Sequence, residues 1–109
     1  MNITDLTTKS ADASQLLTML ANPARLQILC ELHHGERSVS ALEAVVGLSQ
    51  SALSQHLAKL RASDIVKTRR DAQTIYYSIA DERAQRILAL LYEMFCSIPN
   101  DKTPSRRSK

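Results

Sequence analysis

The stretch Ser40 to Arg61, SALEAVVGLSQSALSQHLAKLR, constrains this chain more than any other. Ser40 with Glu43 three residues on reads as a capping box, the pattern of a helix start. Leu42, Val45 and Val46 then recur at helical spacing until Gly47 breaks the run. Ser49 offers a fresh N-cap, and Leu53, Leu57 and Leu60 follow at i, i+4 and i+7. Two capped helices joined by a glycine turn predict a helix-turn-helix, whose second helix can lie in a DNA major groove.

The flanks extend this unit into a single domain. Ser10 to Ala21 places Ala13, Leu16, Leu17 and Leu20 on one helical face. Asn22-Pro23 reads as an N-cap and first-turn proline, opening a helix that runs to about His33 with Ile28, Leu29 and Leu32 inward, and Gly35 stops it. Ile65–Arg69 and Thr74–Ile79 are β-prone runs separated by Arg70-Asp71-Ala72-Gln73, a hairpin without an Asn-Gly turn signal. Asp81 caps a last helix reaching Cys96 or Ser97, and Pro99 prevents its continuing. The expected fold is mainly α with a β-hairpin wing, a winged helix-turn-helix over residues 10–97. Residues 1–9 read as a flexible N-terminus and 98–109 as a disordered basic tail.

Charge supports a nucleic-acid partner only through its placement. The net charge is +3, yet residues 1–97 carry ten basic and ten acidic side chains, so the tail supplies the whole excess. Within the body, Lys59, Arg61, Lys67, Arg69 and Arg70 gather beside the second helix against Asp64 and Asp71. That cluster suits phosphates. No apolar run approaches the roughly 20 residues of a membrane span, and the polar start MNITDLTTKS is unlike a signal peptide. The expected location is the cytoplasm. No nucleophile–base pair, carboxylate dyad or phosphate loop is present, and two glycines leave little material for a substrate loop. The expectation is a protein that is not an enzyme and carries no cofactor.

At about 100° per residue, Leu53, His56, Leu57 and Leu60 cluster inward while Ser51, Ser54, Gln55 and Ala58 point the opposite way. Gln50 projects from the helix start. Glutamine can pair with adenine through two hydrogen bonds, and serine serves a base or a phosphate. Gln50, Ser51, Ser54 and Gln55 are therefore the expected reading residues. His56 is a further DNA candidate, although its place beside the leucines equally suits a hydrogen-bonded structural role. Arg69, Arg70 and Gln73 fall where a wing would reach a minor groove, whose negative potential favours arginine. The competing reading of every one of these residues is an ordinary solvated surface.

The last helix, ILALLYEMFC from Ile87 to Cys96, is apolar nearly all round. A helix at the edge of so small a domain cannot bury every face internally, so a partner is implied. The simplest is a second copy, giving a homodimer through the first and last helices. Cys30 and Cys96 stand 66 residues apart with no CxxC and no zinc-finger cluster. From the residues alone they are inert core thiols or a sensing pair. Neither sits at a helix N-terminus, Cys30 stands beside Glu31, and only His33 or His34 lies near enough in sequence to activate it.

LANPARLQILCELHHGERSV, LSQSALSQHLAKLR and TRRDAQTIYYSI together resemble the ArsR family of winged-helix bacterial repressors over roughly residues 13–97. The resemblance implies a homodimer with the order α-α-α-α-β-β-α and operator binding that is lost when an inducer is sensed. Neither common metal site of the family is matched. Ser38-Val39-Ser40 stands where the Cys-Val-Cys core belongs, and of the Asp, His, His and Glu set on the last helix only Asp81 remains, beside Arg83, Met94 and Ser97. One cysteine in the second helix and one ending the last are similar to the thiol- and persulfide-sensing branch. That resemblance implies that Cys30 and Cys96 are a redox-sensing pair. Reactive sulfur species or other oxidants would link them by a disulfide or polysulfide bridge and release the DNA, with target genes in sulfide detoxification, oxidative stress or virulence. The alternatives are a metal-responsive repressor using Cys30, His34 and Cys96, and a winged-helix protein-interaction module without an operator.

Overall fold

The computed structural model describes residues 3–96. The elements are α1 (Ile3–Thr8), α2 (Ser10–Leu20), α3 (Pro23–His33), β1 (Arg37–Ser38), α4 (Val39–Val46), α5 (Gln50–Ala62), β2 (Val66–Asp71), β3 (Thr74–Ile79) and α6 (Glu82–Phe95). The helix-turn-helix and its hairpin wing are present. Two elements go beyond the sequence reading. Ile3–Thr8 is helical where a flexible start was expected, and β1 pairs with β3 to widen the hairpin into an antiparallel sheet ordered β1-β3-β2. The expected basic tail, 98–109, lies outside the described residues.

Helix boundaries follow the caps. Asn22 accepts the Arg25 backbone N–H at 3.0 Å with Pro23 next in line, which opens α3 as expected. The start of α4 is displaced from the expected position. Ser38, in extended backbone, accepts the Ala41 N–H at 3.1 Å and is the cap, so Ser40 lies inside the helix and makes no capping box with Glu43. Pairing of Ser38 with Tyr76 sets this boundary, because the chain leaves the sheet at that residue. Gly47, at φ +66°, closes α4 in the left-handed region, and Ser49 caps α5 by accepting the Ala52 N–H at 3.1 Å.

The end of α5 is equally well defined. The Ile65 N–H donates to the Leu60 carbonyl and the Asp64 N–H to that of Arg61, both at 3.0 Å, with Asp64 at φ +60°. This pattern is a Schellman closure, and the buried side chains of Leu60 and Ile65 supply its customary apolar contact. The wing turn is tighter than four residues. Strand pairing runs through Arg70 with Ile75 and Asp71 with Thr74, leaving Ala72 and Gln73 as the turn. Ala72 adopts φ +58°, the conformation that an Asn-Gly pair would normally mark.

The core is one cluster around α3. Ile28, Leu29, Leu42, Leu53 and Leu60 have no exposed surface, and Leu32, Leu57, Ile65, Val66 and Leu88 are buried beside them. Each such leucine or isoleucine contributes about 1.5–3 kcal/mol through its removal from water. On α2, Leu16 and Leu20 make the inward line, one turn apart. Leu17 was expected with them but faces solvent, as does Val45 on α4. Arg25 is the buried charge of the core, donating from Nε to the Met19 carbonyl (2.8 Å) and from Nη2 to that of Thr18 (3.4 Å). A cation is well placed there, at the negative end of α2. Among the described residues no helix is long and apolar enough to cross a membrane.

Replacing Ser49 by alanine removes the α5 cap and is expected to cost about 1 kcal/mol. Denaturant titration of the variant against Ser40→Ala, which should be close to neutral, tests where the caps lie.

Candidate nucleic-acid interface and thiol cleft

Helix α5 carries two distinct faces. Leu53, Leu57 and Leu60 are buried, while Gln50, Ser51, Ser54, Gln55 and Ala58 are exposed. The exposed set is short, and apart from its two glutamines it ends in hydroxyls or a methyl, so it permits close approach to base edges. Gln50 and Ser51 occupy the first turn, where the helix dipole is positive. Lys59 and Arg61 extend from the last turn of the same helix.

His56 departs from that outer face. It is half-buried, and its Nδ1 is sealed from solvent without a hydrogen-bond partner. Burial holds its pKa below the usual histidine value, and the positive charges of Arg25 and Lys59 act in the same direction. Among the described residues His56 thus has one ring nitrogen buried without the hydrogen bond expected of a structural histidine, while the side chain as a whole is only partly covered.

The three wing candidates are also separated. Arg70 is exposed beside the turn and Gln73 within it. Arg69 lies farther back, opposite Tyr76 in the strand register. Its Nη2 and Nε donate to the two carboxylate oxygens of Glu36 at 2.8 and 3.0 Å, and its guanidinium sits 4.5 Å from the centre of the Tyr76 ring. The hydrogen bonds from Arg69 hold the Glu36 carboxyl below its usual pKa. Such an exposed pair adds little stability; it occupies Nε and Nη2 of the arginine, whose side chain stays 53% exposed. Glu36 was not singled out in the sequence, since nothing in the spacing of positions 36 and 69 announces their pairing.

On the far side of α3, a cleft of about 230 Å³ opens between that helix and α6. Cys30, His33 and His34 line it from α3, and Leu88, Leu91, Tyr92, Phe95 and Cys96 from the other wall. Both cysteines are free and exposed, so neither is a core thiol. Partial burial raises the pKa of Cys30, and the neighbouring negative charges of Cys96 and Glu31 raise it further. His33 does not activate the thiol by an evident bond; its Nδ1 is 2.9 Å from Oε1 of Gln85, joining α3 to α6. Among the described residues no three His, Cys, Asp or Glu side chains converge closely enough to hold a metal ion. Cys30, His34 and Cys96 are thus not assembled as a ligand set.

A capped reading helix with a small polar outer face, followed by a basic hairpin, defines a DNA-binding transcriptional regulator of the winged-helix class. The chain belongs to the ArsR family: the family described as bacterial regulatory protein, arsR family, matches residues 22–68. It is 45% identical over 96 residues to the transcriptional activator HlyU of Vibrio cholerae serotype O1, covering 88% of this chain and 89% of that protein. It is 44% identical over 89 residues to the biofilm growth-associated repressor of Agrobacterium fabrum, covering 82% and 76%. The solved structure of the transcriptional repressor BigR from Xylella fastidiosa superimposes with a TM-score of 0.84 at 38% identity, over 89% of this chain and 99% of that one. These relatives carry the names of transcriptional regulators, a class without catalytic activity.

The sealed Nδ1 of His56 has a consequence for stability. A histidine whose pKa is lowered on folding stabilises fully above the unfolded value and loses that contribution as pH falls from about 6.5 through the lower folded value. Unfolding free energy is expected to decline over that window, and His56→Gln should flatten the decline in urea titrations at stepped pH.

Proposed function

We propose that this protein is a homodimeric, cytoplasmic transcriptional repressor whose operator affinity is lost when Cys30 and Cys96 are oxidised into a disulfide or polysulfide bridge. The supporting observation is that two free thiols from distant parts of the chain line one cleft between α3 and α6. Reactive sulfur species supply the oxidant. A cysteine thiolate takes the terminal sulfur of a hydropersulfide RS–SH, becoming Cys–S–SH as RS⁻ leaves. The second thiolate then attacks the inner sulfur, forms the S–S bond and expels HS⁻. If it has itself become a persulfide, a longer sulfur chain results.

The dimer reading is supported by exposed apolar side chains on the outermost helices. Leu6 and Leu17 contribute from α1 and α2, and Leu90, Tyr92, Met94 and Phe95 from α6, with Phe95 78% exposed. Apolar surface of this kind marks an interaction face. Because α6 carries one thiol and much of that face, a bridge to α3 would turn one protomer against the other. Paired half-sites lie about 34–36 Å apart along the duplex, so a change in the separation of the two α5 helices weakens both contacts together.

In the DNA contact, Gln50, Ser51, Ser54 and Gln55 read base edges and Arg70 and Gln73 approach the minor groove. His56 and Arg69 act from behind that surface, the first half-buried and the second bonded to Glu36. Replacing Arg70 by alanine should reduce the salt dependence of operator binding by about one unit of log–log slope, and Arg69→Ala should reduce it less. Fluorescence anisotropy on a palindromic duplex from low to high salt measures both. A flat salt response of the unaltered protein would instead favour a protein-interaction module.

Cys30→Ser and Cys96→Ser should each bind operator as the unaltered protein does. Oxidation to completion with excess persulfide should weaken the unaltered protein by about 5–150-fold, the usual range of coupling between sites, and leave both variants unchanged. Release of either variant to the same extent as the unaltered protein would overturn the thiol switch.

A further inference from the structure

The cleft that holds the two thiols has a chemical character of its own. Apart from the cysteines and the two histidines, every lining residue is a leucine or an aromatic: Leu26, Leu88, Leu91, Tyr92 and Phe95. Among the described residues no lysine, arginine, aspartate or glutamate lines it, and His33 is bonded to Gln85. Glu31, next in sequence to Cys30 and half-buried, places its charge close enough to act on that thiol. An anion entering here loses hydration without gaining a lysine or arginine partner among the described residues and also meets the field of Glu31. An apolar group loses little and gains contact with the leucines and rings. Size is adequate, since an apolar cavity of about 150 Å³ takes up benzene and this cleft offers about 230 Å³.

We propose that the cleft is a recognition pocket for small, uncharged, apolar sulfane-sulfur donors, such as alkyl or aryl hydropersulfides in their protonated form RS–SH, and discriminates against anionic ones. The inference rests on the thiol-switch reading and adds the class of molecule that delivers the sulfur. The organic group R of RS–SH lies against Leu26, Leu88 and Leu91, presenting its terminal sulfur to a cysteine. The thiolate forms a new S–S bond to that sulfur while the RS–S bond breaks. RS⁻ leaves with the electron pair and takes a proton from water, so the cysteine is oxidised to a persulfide and the donor is reduced to a thiol. The elevated pKa of Cys30 is consistent with such selection: the same surroundings that penalise its own thiolate penalise an incoming anion.

Methanethiosulfonates of different charge test the pocket without DNA, so selection by the cleft and release of operator stand or fall separately. Each reagent transfers its RS group to a thiolate and releases methanesulfinate, leaving a mixed disulfide that mass spectrometry reads at the residue. The full-length Cys96→Ser protein leaves Cys30 as its one thiol. Its rates at pH 8 with benzyl, sulfonatoethyl and trimethylammonioethyl reagents are each divided by the rate with 2-mercaptoethanol. The expected result is a benzyl rate at least about tenfold above the sulfonatoethyl rate after this correction, with the cationic reagent also slower than benzyl. That factor corresponds to about 1.4 kcal/mol. Equal corrected rates for benzyl and sulfonatoethyl would overturn the proposal. A cationic reagent matching benzyl would also overturn it, by assigning the selection to the charge of Glu31. Leu91→Gln, at a half-buried position, should bring the benzyl preference down toward that of the model thiol.

Discussion

The packing of α3 is the constraint from which the rest of the molecule follows. Ile28, Leu29 and Leu32 are buried to within 2% and join the leucines of α4 and α5 in one continuous cluster. The helix also packs against α6 and β3. With its apolar face committed to the reading helix, its remaining face presents Cys30, His33 and His34 to α6. A single rod of eleven residues thereby backs the candidate DNA surface with one face and carries Cys30 on the other. Whatever moves α3 relative to α6 acts on the mounting of the reading helix, because close-packed interiors transmit displacement and do not absorb it.

Much of this arrangement was legible from local sequence because the signals were local. Asn22-Pro23, Gly47, Ser49 and Asp81 each act on backbone within four residues, and each sits at the helix end it predicts. The misplaced start of α4 has the opposite origin. Ser40 and Glu43 satisfy a local pattern, but pairing of Ser38 with Tyr76 fixes the chain two residues earlier. Strand β1 was invisible for the same reason, since two residues carry no periodicity and exist as a strand only through their partner. Leu17 and Val45 show the limit of hydrophobic spacing: an apolar residue beside the buried line is not thereby inside.

The candidate site divides in the same way. The outer residues of α5 follow from helical geometry once its leucine stripe is known, and the structure leaves them exposed. Arg69 could not be assigned from its position in a basic run, because its carboxylate partner stands 33 residues away. His56 sat at the edge of the stripe and stays there in the structure, half-buried with its Nδ1 covered. The two cysteines are the extreme case. Their shared cleft depends on α3 and α6 packing together, a relation between two residues 66 positions apart that neither segment encodes alone.

The Schellman closure after α5 governs how any signal can travel. Leu60 and Ile65 are both buried and the chain between them is pinned by two backbone hydrogen bonds, so nothing slack joins the reading helix to the first wing strand. The helix and wing of the candidate DNA surface consequently behave as a stiff calliper with a preset gap. Such a tool cannot be loosened jaw by jaw. In the proposed dimer it would be tilted whole, which would place the decision to grip or release in the angle between two callipers.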